Sequence, residues 1–199
     1  MRISGMLPTG NYSYEIRLHG QTIAFEESSL DPAVIVGSRR AADGLSRYHV
    51  EATLVSGYRV RRVNLSYSSS LFTRKASYEV VEESLRGRIS GLASGNELEV
   101  QLGRFREVDA AGFLIFRALI IGHIRERRDE HWTGRVAVID PNTLAAASVK
   151  HHCARRGTSE RSWVYERRMG DAEDIELDEA GRILRCRDNR GLASELIIA

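Results

Sequence analysis

Apolar and polar residues alternate along most of this chain with a period of two, the mark of strands that bury one face. Tyr12, Tyr14, Ile16 and Leu18 fall on one face, and Ser13, Glu15, Arg17 and His19 on the other. Gly20-Gln21 reads as a turn, and Thr22 to Ser28 returns as a second strand. The alternation continues through Arg47 to Leu54, Tyr58 to Tyr67, Arg74 to Glu82, Leu85 to Ser90 and Glu97 to Leu102. It resumes at Arg135 to Asp140, Ala145 to Arg155, Arg161 to Arg168, Ile175 to Leu177 and Arg182 to Arg187. Short turn segments such as Ser68-Ser69-Ser70, Gly91 to Asn96, Asp140-Pro141-Asn142 and Asp178 to Gly181 separate them. Leu30 to Gly44 reads either as a long loop or as a strand around Val34-Ile35-Val36.

One segment breaks the pattern. Ala110 to Ile124 is nearly all apolar, interrupted only by Gly112, Arg117, Gly122 and His123. Asp109 suits an N-cap, and Arg125, Arg127 and Arg128 suit a C-terminus through the helix dipole. The spacing predicts one long apolar helix over about 109–128, a helix that belongs inside something. A buried strand and an interfacial membrane segment are the alternatives for the same run. With about ten strands and one helix, the expected fold class is mainly β. A curved antiparallel sheet forms an open or half-barrel wrapped around the helix. Residues 1–199 are expected to make a single domain.

Composition narrows the picture. Of 199 residues, 42% are hydrophobic and 28% charged, enough apolar material for one core. The net charge of +2 argues against a nucleic-acid binder, which carries a strongly basic face. Only Lys75 and Lys150 are lysines among the 29 cationic side chains. No apolar run reaches the ~18 residues of a transmembrane helix. The first residues, Met1 to Pro8, carry no long apolar leader, so the expected compartment is the cytoplasm. Cys153 and Cys186 are then expected as free, partly buried thiols.

The stretch Val136-Ala-Val-Ile-Asp-Pro-Asn-Thr-Leu144 and the closing hairpin Leu177-Asp-Glu-Ala-Gly-Arg-Ile-Leu184 follow the apolar segment. This succession resembles bacterial families of the lipoprotein-carrier-like fold, including glycolipid-binding half-barrel proteins. The resemblance spans most of the chain in pattern and is specific in those two stretches. It implies a curved sheet whose concave face holds an apolar ligand. It carries over no functional residue.

The chain has no G-x-G-x-x-G, no phosphate-binding P-loop and no H-E-x-x-H. Gly91 to Gly95 has the wrong spacing for a nucleophile elbow. His151-His152-Cys153 is the nearest approach to a ligand cluster, with His151 and Cys153 on one face of a strand and His152 on the other. No metal or other cofactor is expected. His123, near the helix C-terminus, is either a dipole-favoured imidazole or a general base in an apolar cavity. Arg117, inside the apolar helix, needs a carboxylate from a core acid or from a ligand. Tyr78, Arg117, His123 and His151 are therefore the candidate catalytic residues. Tyr67, Tyr78, Trp163 and Tyr165 on the strands, with Phe113 and Phe116 of the helix, are candidate walls of a ligand pocket or ordinary core.

Three functions compete. The first is binding of a hydrophobic small molecule such as a lipid, polyketide or terpenoid. The second is a cofactor-free cyclase or isomerase acting on such a molecule in the same pocket, which would leave little motif trace. The third is a structural module that forms a homodimer through the apolar helix.

Overall fold

A computed structural model describes residues 7–91, 97–167 and 171–198. Residues 1–6, 92–96 of the expected Gly91–Asn96 turn, and Arg168 lie outside the described residues. The first eight strands are β1 (Gly10–Leu18), β2 (Gln21–Leu30), β3 (Val34–Ala41), β4 (Ser46–Val55), β5 (Arg59–Ser69), β6 (Thr73–Val81), β7 (Ser84–Ser90) and β8 (Glu97–Gln101). After β9 (Glu107–Ala110) come helix α1 (Leu114–Glu126) and β10 (His131–Ile139). The chain ends with β11 (Ala146–Arg155), β12 (Ser162–Glu166), β13 (Ala172–Leu177), β14 (Ile183–Asp188) and β15 (Leu192–Ile198). The 30–44 segment holds a full strand, β3, in register with both β2 and β4.

All the strands join one open sheet in the order β8-β7-β6-β5-β4-β3-β2-β1-β15-β14-β13-β12-β11-β10-β9. Successive strands pair as antiparallel hairpins, while β9 lies parallel to β10. The first and last strands of the chain meet in the middle of the sheet, where β1 pairs with β15. The two edge strands, β8 and β9, are consecutive in sequence. A flat sheet of this order would be about 65 Å wide at the usual strand spacing. The five residues between Gln101 and Glu107 reach at most about 20 Å. The sheet therefore curls until its edges approach, with β8 coming against β11 and β9 against β5.

The period-two reading holds along the strands. Tyr12, Tyr14 and Ile16 are buried, as are Val63 and Leu65, Ala76 and Tyr78, and Trp163 and Tyr165. All of these except Ile16 belong to one apolar cluster with the helix. Cys153 and Cys186 are both buried and free.

The helix differs from expectation. It is short, 13 residues from Leu114 to Glu126, instead of running over 109–128. It is also less purely apolar than the run implied, since Arg117, His123, Arg125 and Glu126 lie within it. Asp109 is no N-cap, because 107–110 form the edge strand β9. Ala111 and Gly112 then both adopt positive φ, 53° and 68°, a left-handed turn that separates strand from helix. Phe113 occupies the N-cap position and has no capping side chain of its own.

The cap comes instead from across the fold. Glu26 of β2 is fully buried, and its Oε1 accepts the Leu114 N–H at 2.8 Å. Arg39, its cross-strand partner on β3, donates from Nε to Glu26 Oε2 at 3.1 Å. Arg39 also donates to the carbonyls of Ala111 at 3.3 Å and Gly112 at 2.8 Å, and stacks on Phe113 at 4.7 Å. An acid thus meets the positive end of the helix, and its arginine partner ties down the turn before it.

This cap predicts a large stability cost for Glu26→Ala. The substitution orphans the Leu114 N–H and leaves Arg39 without its buried acid, a loss of about 3–5 kcal/mol in urea unfolding. Glu26→Gln keeps an acceptor for Leu114 and is expected to cost clearly less. Equal, small losses for both would remove Glu26 from this role.

Candidate functional site

Two more polar clamps fix the helix, and one of them forms the candidate site. Alternation along β13 puts Glu173, Ile175 and Leu177 on the buried face. In the same way His151 and Cys153 of β11 point inward, while His152 is exposed and bonds Thr133 at 3.0 Å. From the helix, Arg117 enters this region. Its Nη1 donates to Glu173 Oε2 at 2.7 Å, and its Nε lies 3.8 Å from Asp109 Oδ2. Glu173 is shared, because Oε1 accepts from Arg167 at 2.6 Å. The Cys186 thiol of β14 sits 3.6 Å from Glu173 Oε2. On the neighbouring strands, His151 Nδ1 is 2.7 Å from the Tyr165 hydroxyl, with the two rings edge to face.

The cluster is buried and sets Arg117 and Arg167 against Glu173 and Asp109. Asp109, Glu173, His151 and Tyr165 are almost fully buried, and Arg117 nearly so. Burial alone would lower the affinity of Arg117 for its proton, but Glu173 and Asp109 outweigh it and hold the guanidinium charged. Burial drives the His151 imidazole down to about 4; Arg167 and Arg117 push the same way, against the charge of Asp109. His151 is therefore neutral at pH 7. Burial, with the nearby Asp109 charge, keeps the Tyr165 phenol protonated well above its usual range. Burial raises both thiols to about 12, which leaves neither as a nucleophilic thiolate.

Several polar atoms here have no hydrogen-bond partner among the described residues. They include both carboxylate oxygens of Asp109, Nε2 of His151 and Nε of Arg117. Buried polar atoms are rarely left so, and each such atom calls for an explanation. Together they offer a fixed carboxylate, a neutral imidazole edge and a guanidinium, a set able to hold an oxygenated group or move a proton. Among the described residues, no three His, Cys, Asp or Glu side chains form a group that could hold a metal ion.

The other candidates are engaged elsewhere. His123 sits in the last helical turn, with Nδ1 at 3.0 Å from Glu107 and Nε2 at 2.8 Å from the Gly57 carbonyl. Tyr78 is buried on β6 and donates to the Leu144 carbonyl at 2.7 Å. Trp163 donates to the Glu160 carbonyl at 3.0 Å. Phe113 and Phe116 are fully buried at and within the start of the helix. Tyr67 is half-buried and packs between Tyr48 and Phe72. Only Arg117, His151 and Tyr165 of the candidates come together. Their partners Asp109 and Glu173 escape a motif search, although Glu173 betrays itself as an acid in register with Ile175 and Leu177.

Two open cavities of about 710 and 370 Å³ lie on the polar face of β4 to β8. The larger is walled by Arg62, Glu79, Arg86 and Glu99, the smaller by His49, Asn64 and Lys75. Neither is lined by the buried cluster.

No family model matches the chain. No curated protein matches it either. Among solved structures it is similar to a DUF1089 family protein from Pseudomonas aeruginosa, with a TM-score of 0.59 and 16% identity. The match covers 82% of this chain and 88% of that one. A likeness at this identity shows the fold alone. No lipoprotein-carrier or glycolipid-binding family is shown by these comparisons.

The His123 clamp predicts a pH dependence. Burial lowers the imidazole pKa, but the hydrogen bond and charge of Glu107 and the bond to Gly57 together raise it above the ordinary 6.5; Arg59 opposes weakly. Protonation therefore favours the folded state. The contribution is complete below about pH 6.5 and is lost as pH rises through the higher folded value. Urea midpoints measured across this range are expected to fall with rising pH in the wild type. The slope is expected to flatten in His123→Gln, and an unchanged slope would contradict the clamp.

Proposed function

We infer that the protein binds a small, mostly apolar molecule of the lipid, polyketide or terpenoid class, between the curled sheet and its helix. On this reading the sheet is a half-barrel around α1, and the ligand's polar end meets the cluster at Asp109, His151 and Tyr165. The observation that carries it is a pair of buried groups without a hydrogen-bond partner among the described residues, the Asp109 carboxylate and His151 Nε2, beside a largely apolar interior. Asp109 can only accept from a donor, so a hydroxyl group is the matching ligand feature. Arg117 pairs with Glu173 at 2.7 Å and holds the floor of the site in place.

A second reading is a cofactor-free isomerase or cyclase using the same groups. It is favoured by the split in proton affinity between neutral His151 and the strongly protonated Tyr165. Asp109 would take the proton, and Tyr165 with His151 would steady the developing oxyanion. A structural role through the helix is disfavoured, because Leu114 to Ile124 are buried within the chain itself.

Native mass spectrometry of protein purified from its own host tests the binding reading. A discrete added mass, released by denaturation and recovered in organic solvent, is expected. Its compound should carry at least one hydroxyl group. A protein that is empty from its host, and whose melting temperature does not move with a panel of hydroxylated apolar compounds, would overturn it.

A further inference from the structure

With the buried cluster taken as the polar end of the proposed ligand site, its unmet hydrogen bonds specify what the ligand carries. The strand register gathers the groups. Tyr165 pairs with Glu173 across β12 and β13, and with Cys153 across β11 and β12. His151 and Arg167 are the next inward positions on β11 and after β12, just beyond the pair His152↔Glu166. Arg117 and Arg167 grip opposite oxygens of Glu173 at 2.7 and 2.6 Å. Arg117 Nε stands 3.8 Å from Asp109 Oδ2. After burial, Asp109, Arg167 and Arg117 are the influences on the His151 imidazole, so all three lie close around it.

The hydrogens in the cluster can be assigned. The Tyr165 phenol is fully buried, and His151 Nδ1 at 2.7 Å is its hydrogen-bond partner. The phenol O–H donates to Nδ1, since the reverse bond would leave a buried hydroxyl hydrogen without an acceptor. A neutral imidazole that accepts at Nδ1 carries its own hydrogen on Nε2. The unmet demand among the described residues is then three N–H donors, on His151 Nε2, Arg117 Nε and Arg167 Nε, and the two oxygens of Asp109. One hydroxyl cannot meet it. A hydroxyl brings one hydrogen and two lone pairs, which serve one carboxylate oxygen and two N–H groups. A ketone or a carboxylate brings no hydrogen for Asp109. Two hydroxyls on neighbouring carbons bring two hydrogens and four lone pairs, enough for both oxygens of Asp109 and for all the N–H groups. Their side-by-side placement also matches the two oxygens of a single carboxylate.

We propose that the site takes an apolar molecule that ends in a vicinal diol, whose hydroxyls donate to Asp109 and accept from His151 Nε2–H, Arg117 Nε–H and Arg167 Nε–H. This narrows the binding reading and rests on it. A plain alcohol would leave part of the buried polar set unmet, and buried polar groups are seldom left so. Discrimination for the second hydroxyl therefore follows from groups that are already fixed: Arg117 and Arg167 by Glu173, and His151 by Tyr165.

Calorimetric titration of the full chain with straight-chain probes, from hexyl to tetradecyl, tests it. The probes carry a vicinal diol at one end, a single terminal hydroxyl, or one hydroxyl at each end. At the best-bound chain length the vicinal diol is expected to bind roughly tenfold more tightly than either of the others. In Asp109→Asn, measured well below its melting temperature, that preference is expected to shrink to about threefold or less. Equal affinity of the wild type for the vicinal diol and the single alcohol would overturn the diol and leave the binding reading standing. So would a full preference retained in Asp109→Asn. The compound extracted from host-purified protein gives a second readout that does not depend on the probes' skeleton. It is expected to be cleaved by periodate, which splits vicinal diols and spares isolated alcohols, and a compound that resists periodate would overturn the diol. No heat with any probe, from a protein that is also empty when purified from its host, would overturn the binding reading and the diol with it.

Discussion

Everything in this fold turns on keeping a charged guanidinium inside an apolar core. Arg117 stands on a helix whose faces are buried from Leu114 to Ile124, so it cannot reach water. An unpaired buried charge costs several kcal/mol, and the chain meets that demand with Glu173 from β13 and Asp109 from β9. The same requirement recurs at both ends of the helix. Its N-terminus is met by Glu26 and Arg39, and its last turn by Glu107 acting on His123. Acids from β2, β9 and β13, strands far apart in the sheet order, all converge on one short helix. That convergence is possible only because the sheet curls.

The curl has its own cause in the chain path. The two edge strands are neighbours in sequence, so a short connection draws the ends of a fifteen-stranded sheet together. β9 then continues directly into the turn that opens the helix. One strand therefore supplies Asp109 to Arg117 and Glu107 to His123, and both acids are buried. Of the three clamps, the Arg117 cluster alone retains a carboxylate with neither oxygen hydrogen-bonded among the described residues. Glu26 is engaged by the Leu114 N–H and by Arg39, and both oxygens of Glu107 lie at hydrogen-bond distance from His123 Nδ1.

Much of this was legible in the alternation. The inward faces of β1, β5, β6 and β12 follow directly from it, and so does the opposition of His151 and His152. The helix was visible as an apolar run, but its start was not. Asp109 looks like a cap when only neighbours in sequence are considered, whereas the left-handed turn at Ala111 and Gly112 and the parallel pairing with β10 are set by tertiary contacts. β3 was ambiguous because its glycine and paired arginines imitate a loop, and Arg39 belongs to the helix cap. β15 carries no clear strand signal, because Ser194 and Glu195 interrupt its short apolar pattern. Two of the buried acids are readable only by register: Glu26, at the helix cap, lies in step with Ala24 and Leu30, and Glu173, in the site, with Ile175. An acid on a buried stripe is a sharper sign of a built polar site than any short motif in this chain.

Whether the Arg117 cluster serves a ligand or only the fold is decided most directly by Asp109→Asn, read in two ways on the same preparation. Arg117 keeps Glu173 in this variant, and a carboxylate without hydrogen bonds is removed. The account predicts some loss of stability, because the variant breaks the buried 3.8 Å ion pair with Arg117 even though no hydrogen bond is lost. It predicts together with this a clear loss of the bound apolar compound. A destabilisation of about 3–5 kcal/mol with the compound fully retained would contradict it, and would make the cluster a structural ion pair alone.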